Sequence, residues 1–244
     1  MFLKSARIKK EMIHDYREYP FSIPFVRYLD ELDLDVPITF FVGENGTGKS
    51  TLLEAIADQI GFNTAGGSTQ NYKAYEVHKS EAALGEYVKL AWWPKVTNGF
   101  FLRAETFYQF ASHLDDTDMS GFRAYGGKSL HHQSHGESFF SLFQHRFKGN
   151  AIYLLDEPEA ALSPTRQLAF LTLLHDLLKE GNVQFIIATH SPILLGYPDA
   201  RIYHFDESGV EEIEYEQTEH VQVTSYFLQH REKMLADLFA DEEE

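Results

Sequence analysis

The nine residues from Gly43 to Thr51 combine three glycines, a lysine and three hydroxyl side chains at a spacing suited to holding an anion. They fit the pattern G-x-x-x-x-G-K-[ST] at every fixed position. Glycines let the backbone curl so that several N–H groups point at one phosphate, and a helix beginning there adds its positive dipole end. The Lys49 ammonium can then reach the β- and γ-phosphates and serve catalysis, and the Ser50 hydroxyl can bind Mg²⁺.

The flanking segments favour this interpretation over a glycine-rich turn without a ligand. The apolar run 38–42 predicts a buried strand before the loop, and the run 52–57 consists of good helix formers. A strand, a glycine loop and a helix in this order predict a site for a nucleoside triphosphate. The residues expected to line it are Gly43, Glu44, Asn45, Gly46, Thr47, Gly48, Lys49, Ser50 and Thr51.

Two neighbouring acids, Asp156 and Glu157, follow the apolar run 151–155, which is typical of a strand buried in a parallel sheet. Burying two acids without a cation is costly, so we assign Asp156, with Ser50, to a magnesium ion. An adjacent carboxylate can polarise the attacking water, so Glu157 is the predicted general base. The alternative is a pair of acids in a solvated turn.

A second buried strand is predicted over residues 183–188, and His190 follows it. A helix from Pro164 to about Gly181 joins the two strands, which predicts a βαβ unit. Because the carboxyl ends of parallel strands meet at one edge, we expect His190 near the phosphate loop. There its imidazole can hydrogen-bond the γ-phosphate or the attacking water, so we count it as catalytic rather than structural.

A third segment, Ser134-His135-Gly136-Glu137-Ser138, offers a hydroxyl and backbone N–H groups before a predicted helix. Together these segments resemble the ABC-type ATPase family, whose domains carry a phosphate loop, a signature, an acidic strand end, a D-loop and a switch histidine in that order. The D-loop corresponds to residues 160–163. Within the family, the chain most resembles stand-alone bacterial predicted ATPases of the AAA type.

This resemblance implies an α/β P-loop NTPase fold with a mostly parallel core sheet, within a single domain of residues 1–244. The sequence adds an N-terminal antiparallel β region and a small helical subdomain at about residues 105–145. The resemblance further implies ATP hydrolysis, ATP and Mg²⁺ as ligands, and an ATP-dependent, head-to-tail homodimer. In that dimer Ser134, Gly136 and Glu137 of one protomer would contact the ATP that the other holds.

The chain departs from the family pattern at His135, where transporters usually have glycine, and at Ser163, where aspartate is common. Two further positions stay open: Glu105, Gln109 or Gln70 for the Q-loop residue, and Phe25 or Phe21 for a ring that either stacks on adenine or packs in the core.

Several segments allow other interpretations. The apolar stretches 90–93 and 99–103 predict a hairpin, and a last helix is expected from about Thr224. The tryptophans and the Phe-rich segment 100–110 could stack on bases, although core packing is the commoner role. Four histidines could instead hold zinc or nickel, without a cysteine to complete the site; they are His131, His132, His135 and His145.

Composition restricts the function further. The 244 residues include no cysteine and carry a formal net charge of −16, which disfavours a broad surface for a nucleic acid. No apolar stretch approaches the roughly 20 residues that span a bilayer, so we expect a cytoplasmic protein without membrane insertion. The preferred hypothesis is an ATPase that gates a partner protein effector. The alternatives are a nucleic-acid-associated ATPase like those of chromosome maintenance and the nucleotide-binding subunit of a transporter.

Overall fold

The computed structural model describes residues 1–64, 82–104 and 150–240. These ranges contain nine strands: β1 (Leu3–Ile8), β2 (Glu31–Asp33), β3 (Ile38–Gly43), β4 (Val88–Trp92), β5 (Gly99–Arg103), β6 (Ala151–Asp156), β7 (Val183–Ala188), β8 (Arg201–Asp206) and β9 (Gly209–Ile213). Their α-helices are α1 (Pro24–Tyr28), α2 (Lys49–Ile60), α3 (Pro164–Glu180), α4 (Pro192–Leu195) and α5 (Glu219–Phe239). Short 3₁₀ helices cover Lys10–Met12, Ala82–Tyr87, Pro158–Ala161 and Tyr215–Gln217.

A six-stranded sheet in the order β5-β6-β7-β3-β8-β9 forms the centre of the protein. Its first five strands run parallel, and β9 pairs antiparallel with β8. The strands β6 and β7 lie side by side with α3 as their connection, which confirms the predicted βαβ unit. Pro164 begins α3 and Gly181 follows its last residue, as the proline and glycine signals indicated. The fold is therefore the expected α/β P-loop NTPase fold.

A smaller antiparallel sheet, β2-β1-β4, confirms the expected N-terminal β region. The predicted hairpin between residues 90–93 and 99–103 is wrong, because the two segments belong to different sheets. Only alternate residues of β4 are shielded, and it pairs with β1. In contrast, β5 is buried along its middle and pairs in parallel with β6. A segment buried on both faces suits a strand of a parallel sheet that is covered on both sides better than an exposed hairpin.

Two hydrophobic cores lie on opposite faces of the central sheet, and the alternation of side chains along its strands divides residues between them. In β3, Phe41 joins the core that contains α2 and the small sheet, whereas Phe40 joins the core that contains α3. Phe25 belongs to the first core and has no exposed surface, so packing is its role in this fold. The last helix begins at Glu219, five residues before the predicted start.

Gln184 joins the two sheets through a buried side chain. Its Oε1 accepts hydrogen bonds from the backbone N–H of Phe2 (3.0 Å) and of Leu3 (2.8 Å). Its Nε2 donates to the carbonyl oxygen of Leu3 at 2.9 Å and to that of Leu34. One amide therefore satisfies backbone groups from two segments that the central sheet does not pair. Buried backbone groups of this kind are costly to leave without a partner.

We expect the substitution Gln184→Met to lower the free energy of unfolding by about 3 kcal/mol, because it preserves the length of the side chain but leaves the N–H groups of Phe2 and Leu3 without an acceptor. Urea unfolding followed by circular dichroism measures the change. The matched control is Gln229→Met on the exposed surface of α5, which should change stability little. Equal stability of both variants would contradict the structural role of the Gln184 amide.

Candidate functional site

The predicted phosphate loop connects β3 to α2 at the carboxyl edge of the central sheet. Gly43 has φ 138°, and a Cβ atom there would lie 2.1 Å from the Phe205 carbonyl oxygen. Gly48 has φ 98°, and a Cβ there would lie 2.6 Å from side-chain atoms of Ile23 and Phe25. Only glycine fits these two positions, because both the backbone conformation and the space exclude a side chain. The loop is thus held tightly between the first core and β8.

Lys49 begins α2 and turns its side chain back into the loop. Its Nζ donates hydrogen bonds to the carbonyl oxygens of Gly43 and Glu44, both at 2.7 Å, and only 4% of the residue is exposed. Burial lowers the pKa of the ammonium, whereas the nearby carboxylates, Glu157 first among them, oppose this shift. Lys49 therefore places a largely enclosed positive charge at the centre of the loop.

Ser50 and Asp156 meet at the same edge, although they are 106 residues apart in the chain. The Ser50 hydroxyl donates to Oδ1 of Asp156 at 2.9 Å, and the carboxylate is buried. A hydroxyl and a carboxylate oxygen are hard ligands of the kind that Mg²⁺ accepts, beside water and phosphate oxygens. The residues fit the predicted magnesium site, and their assignment as ligands stays a prediction.

Arg103 is a member of the site that the sequence analysis missed. It stands at the end of β5 in register with Asp156, and its Nε lies 3.4 Å from Oδ2 of that carboxylate. Its guanidinium also forms a salt bridge with Glu54 of α2. This buried network compensates the charge of Asp156 and orients it toward Ser50. The only signal in the sequence was an arginine at the end of an apolar run. That signal does not show that β5 pairs with β6, which brings Arg103 beside Asp156.

Glu157 and His190 face each other beside the loop. Glu157 adopts a left-handed conformation with φ 52°, so the chain turns sharply after β6. Its Oε1 lies 3.6 Å from Nε2 of His190, and 38% of its side chain is exposed. A carboxylate in this position is accessible to water while remaining at the edge of the buried site, as a general base requires.

The loop that carries His190 is fixed by two further residues that the sequence analysis did not identify. Oε1 of Glu159 accepts a hydrogen bond from the backbone N–H of His190 at 2.6 Å, and burial raises the pKa of this carboxyl group. Nε2 of His220, from the first turn of α5, lies 2.8 Å from Nδ1 of His190. Neither residue follows a motif that a sequence pattern would reveal.

The structure also describes four other predicted residues: Thr47, Thr51, Phe21 and Ser163. The Thr47 hydroxyl donates to the Glu44 carbonyl oxygen at 2.9 Å, and the Thr51 hydroxyl lies 3.3 Å from that of Tyr19. Phe21 is partly buried against the first core and packs edge-to-face on Tyr87. Ser163 precedes α3 without a capping hydrogen bond from its side chain.

The remaining predicted residues lie outside the described ranges. The helical subdomain at 105–145 falls there as well. The residues are Ser134, Gly136 and Glu137 of the signature, the Q-loop candidates Gln70, Glu105 and Gln109, and the histidines 131, 132, 135 and 145.

Comparisons with known proteins point to the same class of protein as the sequence motifs. A family model described as "AAA ATPase domain" matches residues 136–195, and one described as "AAA domain" matches residues 13–100. A putative ABC transporter ATP-binding protein of Geobacter sulfurreducens is 25% identical over 179 residues. Together these matches support an ABC-type P-loop ATPase domain in this chain. The match covers 66% of this chain and 62% of the Geobacter protein, so the two share a domain rather than their whole lengths.

Solved structures support the fold of this ATPase domain. An inward-facing putative metal-chelate type ABC transporter aligns with a TM-score of 0.51 at 16% identity, over 92% of this chain and 88% of the other. An SMC head bound to the C-winged helix domain of ScpA aligns with a TM-score of 0.50 at 12% identity, over 87% of this chain and 98% of the other. Within the described ranges, no helix is both long and apolar enough to cross a membrane.

The electrostatics of His190 lead to a prediction about pH. Burial lowers its pKa to about 4, and the charges of Lys49 and His220 act in the same direction. An unfolded chain protonates histidine near pH 6.5. The unfolded state therefore binds more protons than the folded state between these values, and the free energy of unfolding should fall as pH drops from about 6.5 to 4.

Urea unfolding between pH 4 and 8 measures this effect in the wild type and in His190→Gln. The variant lacks the imidazole and should lose less stability on acidification. An NMR titration of the assigned His190 signal gives the second readout, and a midpoint near 6.5 would refute the predicted shift.

Proposed function

We propose that this chain binds ATP with Mg²⁺ and hydrolyses it to ADP and phosphate. The observation that carries the proposal is the convergence of five side chains at the carboxyl edge of the central sheet. They comprise an enclosed ammonium, a hydroxyl–carboxylate pair, and an accessible carboxylate beside an imidazole: Lys49, Ser50, Asp156, Glu157 and His190. Each of these groups matches one requirement of phosphoryl transfer to water.

Binding is supported by the loop and by the start of α2. The backbone N–H groups of the first helical turn and the Lys49 ammonium offer positive potential to the β- and γ-phosphates. Ser50 and Asp156 would hold Mg²⁺, which supplies charge neutralisation to the phosphates when bound. Arg103 keeps the Asp156 carboxylate oriented toward Ser50.

In the proposed hydrolysis, Glu157 accepts a proton from water as the water oxygen attacks the γ-phosphorus. The bond between that phosphorus and the bridging oxygen breaks, and the electron pair leaves with ADP. Neutral His190 stabilises the transferred group by donating a hydrogen bond, while Lys49 balances the charge that develops on the leaving oxygen. The accessible position of Glu157 lets water reach the base.

We further propose that ATP holds two copies of the chain in a head-to-tail dimer that gates a partner protein effector. The resemblance to the ABC-type signature supports Ser134, Gly136 and Glu137 as the residues that contact the partner's nucleotide. The net charge of −16 opposes association without a bridging anion, and it also opposes broad nucleic-acid binding.

A second candidate is the ATP-binding subunit of a transporter. The Geobacter relative favours it, since that protein is described as a putative ABC transporter ATP-binding protein. The two candidates share the same ATP site and differ in whether the dimer acts on a membrane protein. Copurification of the tagged chain with a membrane permease from its native host would favour the transporter assignment.

The substitution Glu157→Gln tests hydrolysis. We expect kcat to fall by roughly 10² or more with little change in ATP affinity, because removal of a general base costs about 10² to 10⁴ in rate. Steady-state phosphate release and equilibrium binding of ATP provide the two measurements.

The matched control is Glu180→Gln at the exposed end of α3, which should leave both values unchanged. Lys49→Ala provides the contrast, since it should weaken ATP binding itself. Unchanged turnover in Glu157→Gln would eliminate this residue as the base.

The dimer is tested with the same slow variant. We expect Glu157→Gln to sediment as a dimer with ATP and Mg²⁺ and as a monomer with ADP, because the γ-phosphate supplies the charge that both half-sites share. Adding Ser134→Arg should abolish the dimer and leave nucleotide binding intact. The control Ser225→Arg changes an exposed residue of α5 and should dimerise normally. A dimer that forms equally with ADP would contradict the proposed assembly.

A further inference from the structure

The start of α5 is anchored against the loop that carries His190. The Tyr215 hydroxyl donates to the carbonyl oxygen of Pro192 at 3.1 Å, two residues after His190. Thr218, which immediately precedes α5, has no exposed surface, and its hydroxyl donates to the carbonyl oxygen of Tyr215 at 2.8 Å. These contacts anchor the residues that precede the first turn of α5 to the segment that follows His190, and His220 lies in that first turn.

The two imidazoles are joined through specific nitrogens. Nδ1 of His190 and Nε2 of His220 are 2.8 Å apart, and the ring centroids are separated by 4.9 Å. The other ring nitrogen of His190, Nε2, is shielded and has no hydrogen-bond partner among the described residues. That nitrogen faces Oε1 of Glu157 at 3.6 Å. His190 is thus held at one nitrogen and presents the other to the site.

Only one of the two proton arrangements suits these surroundings. A neutral imidazole carries its proton on one nitrogen and accepts at the other. If His190 donated Nδ1–H to His220, its bare Nε2 lone pair would face the Glu157 carboxylate, which is unfavourable. If His220 donates Nε2–H to Nδ1 of His190, then His190 carries its proton on Nε2 and points a donor at Glu157. The same donor suits an anionic γ-phosphate oxygen.

We propose that His220 is a positioning residue that holds His190 in the Nε2–H tautomer and aims that N–H at the site of the γ-phosphate. The effect on turnover rests on the proposed ATP hydrolysis, whereas the tautomer itself is a property of the protein without nucleotide. The imidazole of α5 would thereby fix the polarity of the catalytic hydrogen bond, as the orienting partners of other functional histidines do.

Two substitutions separate the positioning role of His220 from simple loss of its ring. Glutamine and glutamate have nearly the same shape, and they differ in whether the side chain can donate a hydrogen bond to His190. In His220→Gln the amide can still donate to Nδ1 of His190, so the Nε2–H tautomer should persist. In His220→Glu the carboxylate can only accept, so His190 should change to the Nδ1–H tautomer. Both side chains are compatible with the first turn of a helix, and glutamate is favourable there, so folding should be preserved.

The first measurement is NMR of the full chain with ¹⁵N-labelled histidine, without nucleotide, because the chemical shifts of the ring nitrogens identify the protonated one. His190→Gln assigns the signals. We expect the Nε2–H form in the wild type and in His220→Gln, and the Nδ1–H form in His220→Glu. An Nδ1–H form in the wild type, or the same tautomer in both variants, would overturn the proposal.

The second measurement is the separation of kcat from KM for ATP. We expect His220→Glu to lower kcat by about 10-fold or more, the usual scale for loss of an orienting partner, while His220→Gln stays within about 3-fold of the wild type. Gln229→Glu adds the same charge to the exposed face of α5 and controls for electrostatic effects on nucleotide binding. Equal kcat in the Gln and Glu variants of an active enzyme would refute the positioning role.

The two measurements also separate this inference from the proposed function. If the wild type does not hydrolyse ATP, the proposed function fails, and the NMR comparison still decides which tautomer His220 selects. If the wild type is active but the tautomer does not follow the substitution at position 220, the inference fails and the function stands.

Discussion

Because β3, β6 and β7 run in parallel and pair in fixed register, three loops that are distant in sequence leave the central sheet at the same edge. Asp156 pairs with Ala188 in that register, so the acidic strand end and the loop of His190 start at the same level. The strand β3 pairs in parallel with β7 and leads into the phosphate loop, which therefore lies beside these two segments. Each part of the candidate site depends on this pairing, since a change of register would turn every side chain to the opposite face.

Several charged side chains are buried at this edge of the sheet, and each of them has a partner that compensates its charge. Carbonyl oxygens of the loop surround the Lys49 ammonium, and Arg103 lies between Glu54 and Asp156. Without these partners, a buried charge would cost several kcal/mol. Charge compensation thus explains why an arginine from β5 belongs to the site even though it takes no part in the proposed chemistry.

The helix α5 adds a long-range contribution to the candidate site. Most of its surface is exposed, yet its first turn is anchored by Tyr215 and Thr218 and contacts the loop of His190. The proposed dependence of His190 on this contact connects α5 directly to the candidate site.

The sequence by itself determined the features that depend on neighbouring residues. Local composition predicts the phosphate loop, the buried strands β3, β6 and β7, and the limits of α3. This is possible because glycine, proline and apolar runs affect the conformation of the backbone in their own segment. The order of the motifs was enough to predict the fold. These local signals also located the residues that gather at the edge of the sheet.

Only the tertiary structure decided which distant segments meet. It paired β4 with β1 rather than with β5, assigned Phe25 to the core, and placed Arg103 on Asp156 and His220 on His190. Such contacts follow from the packing of whole helices and strands. The type of a single residue does not predict which distant residue it will contact. The predicted phosphate loop and its flanking elements could therefore be located from the sequence, whereas the residues that contact and compensate its neighbours depended on the folded arrangement.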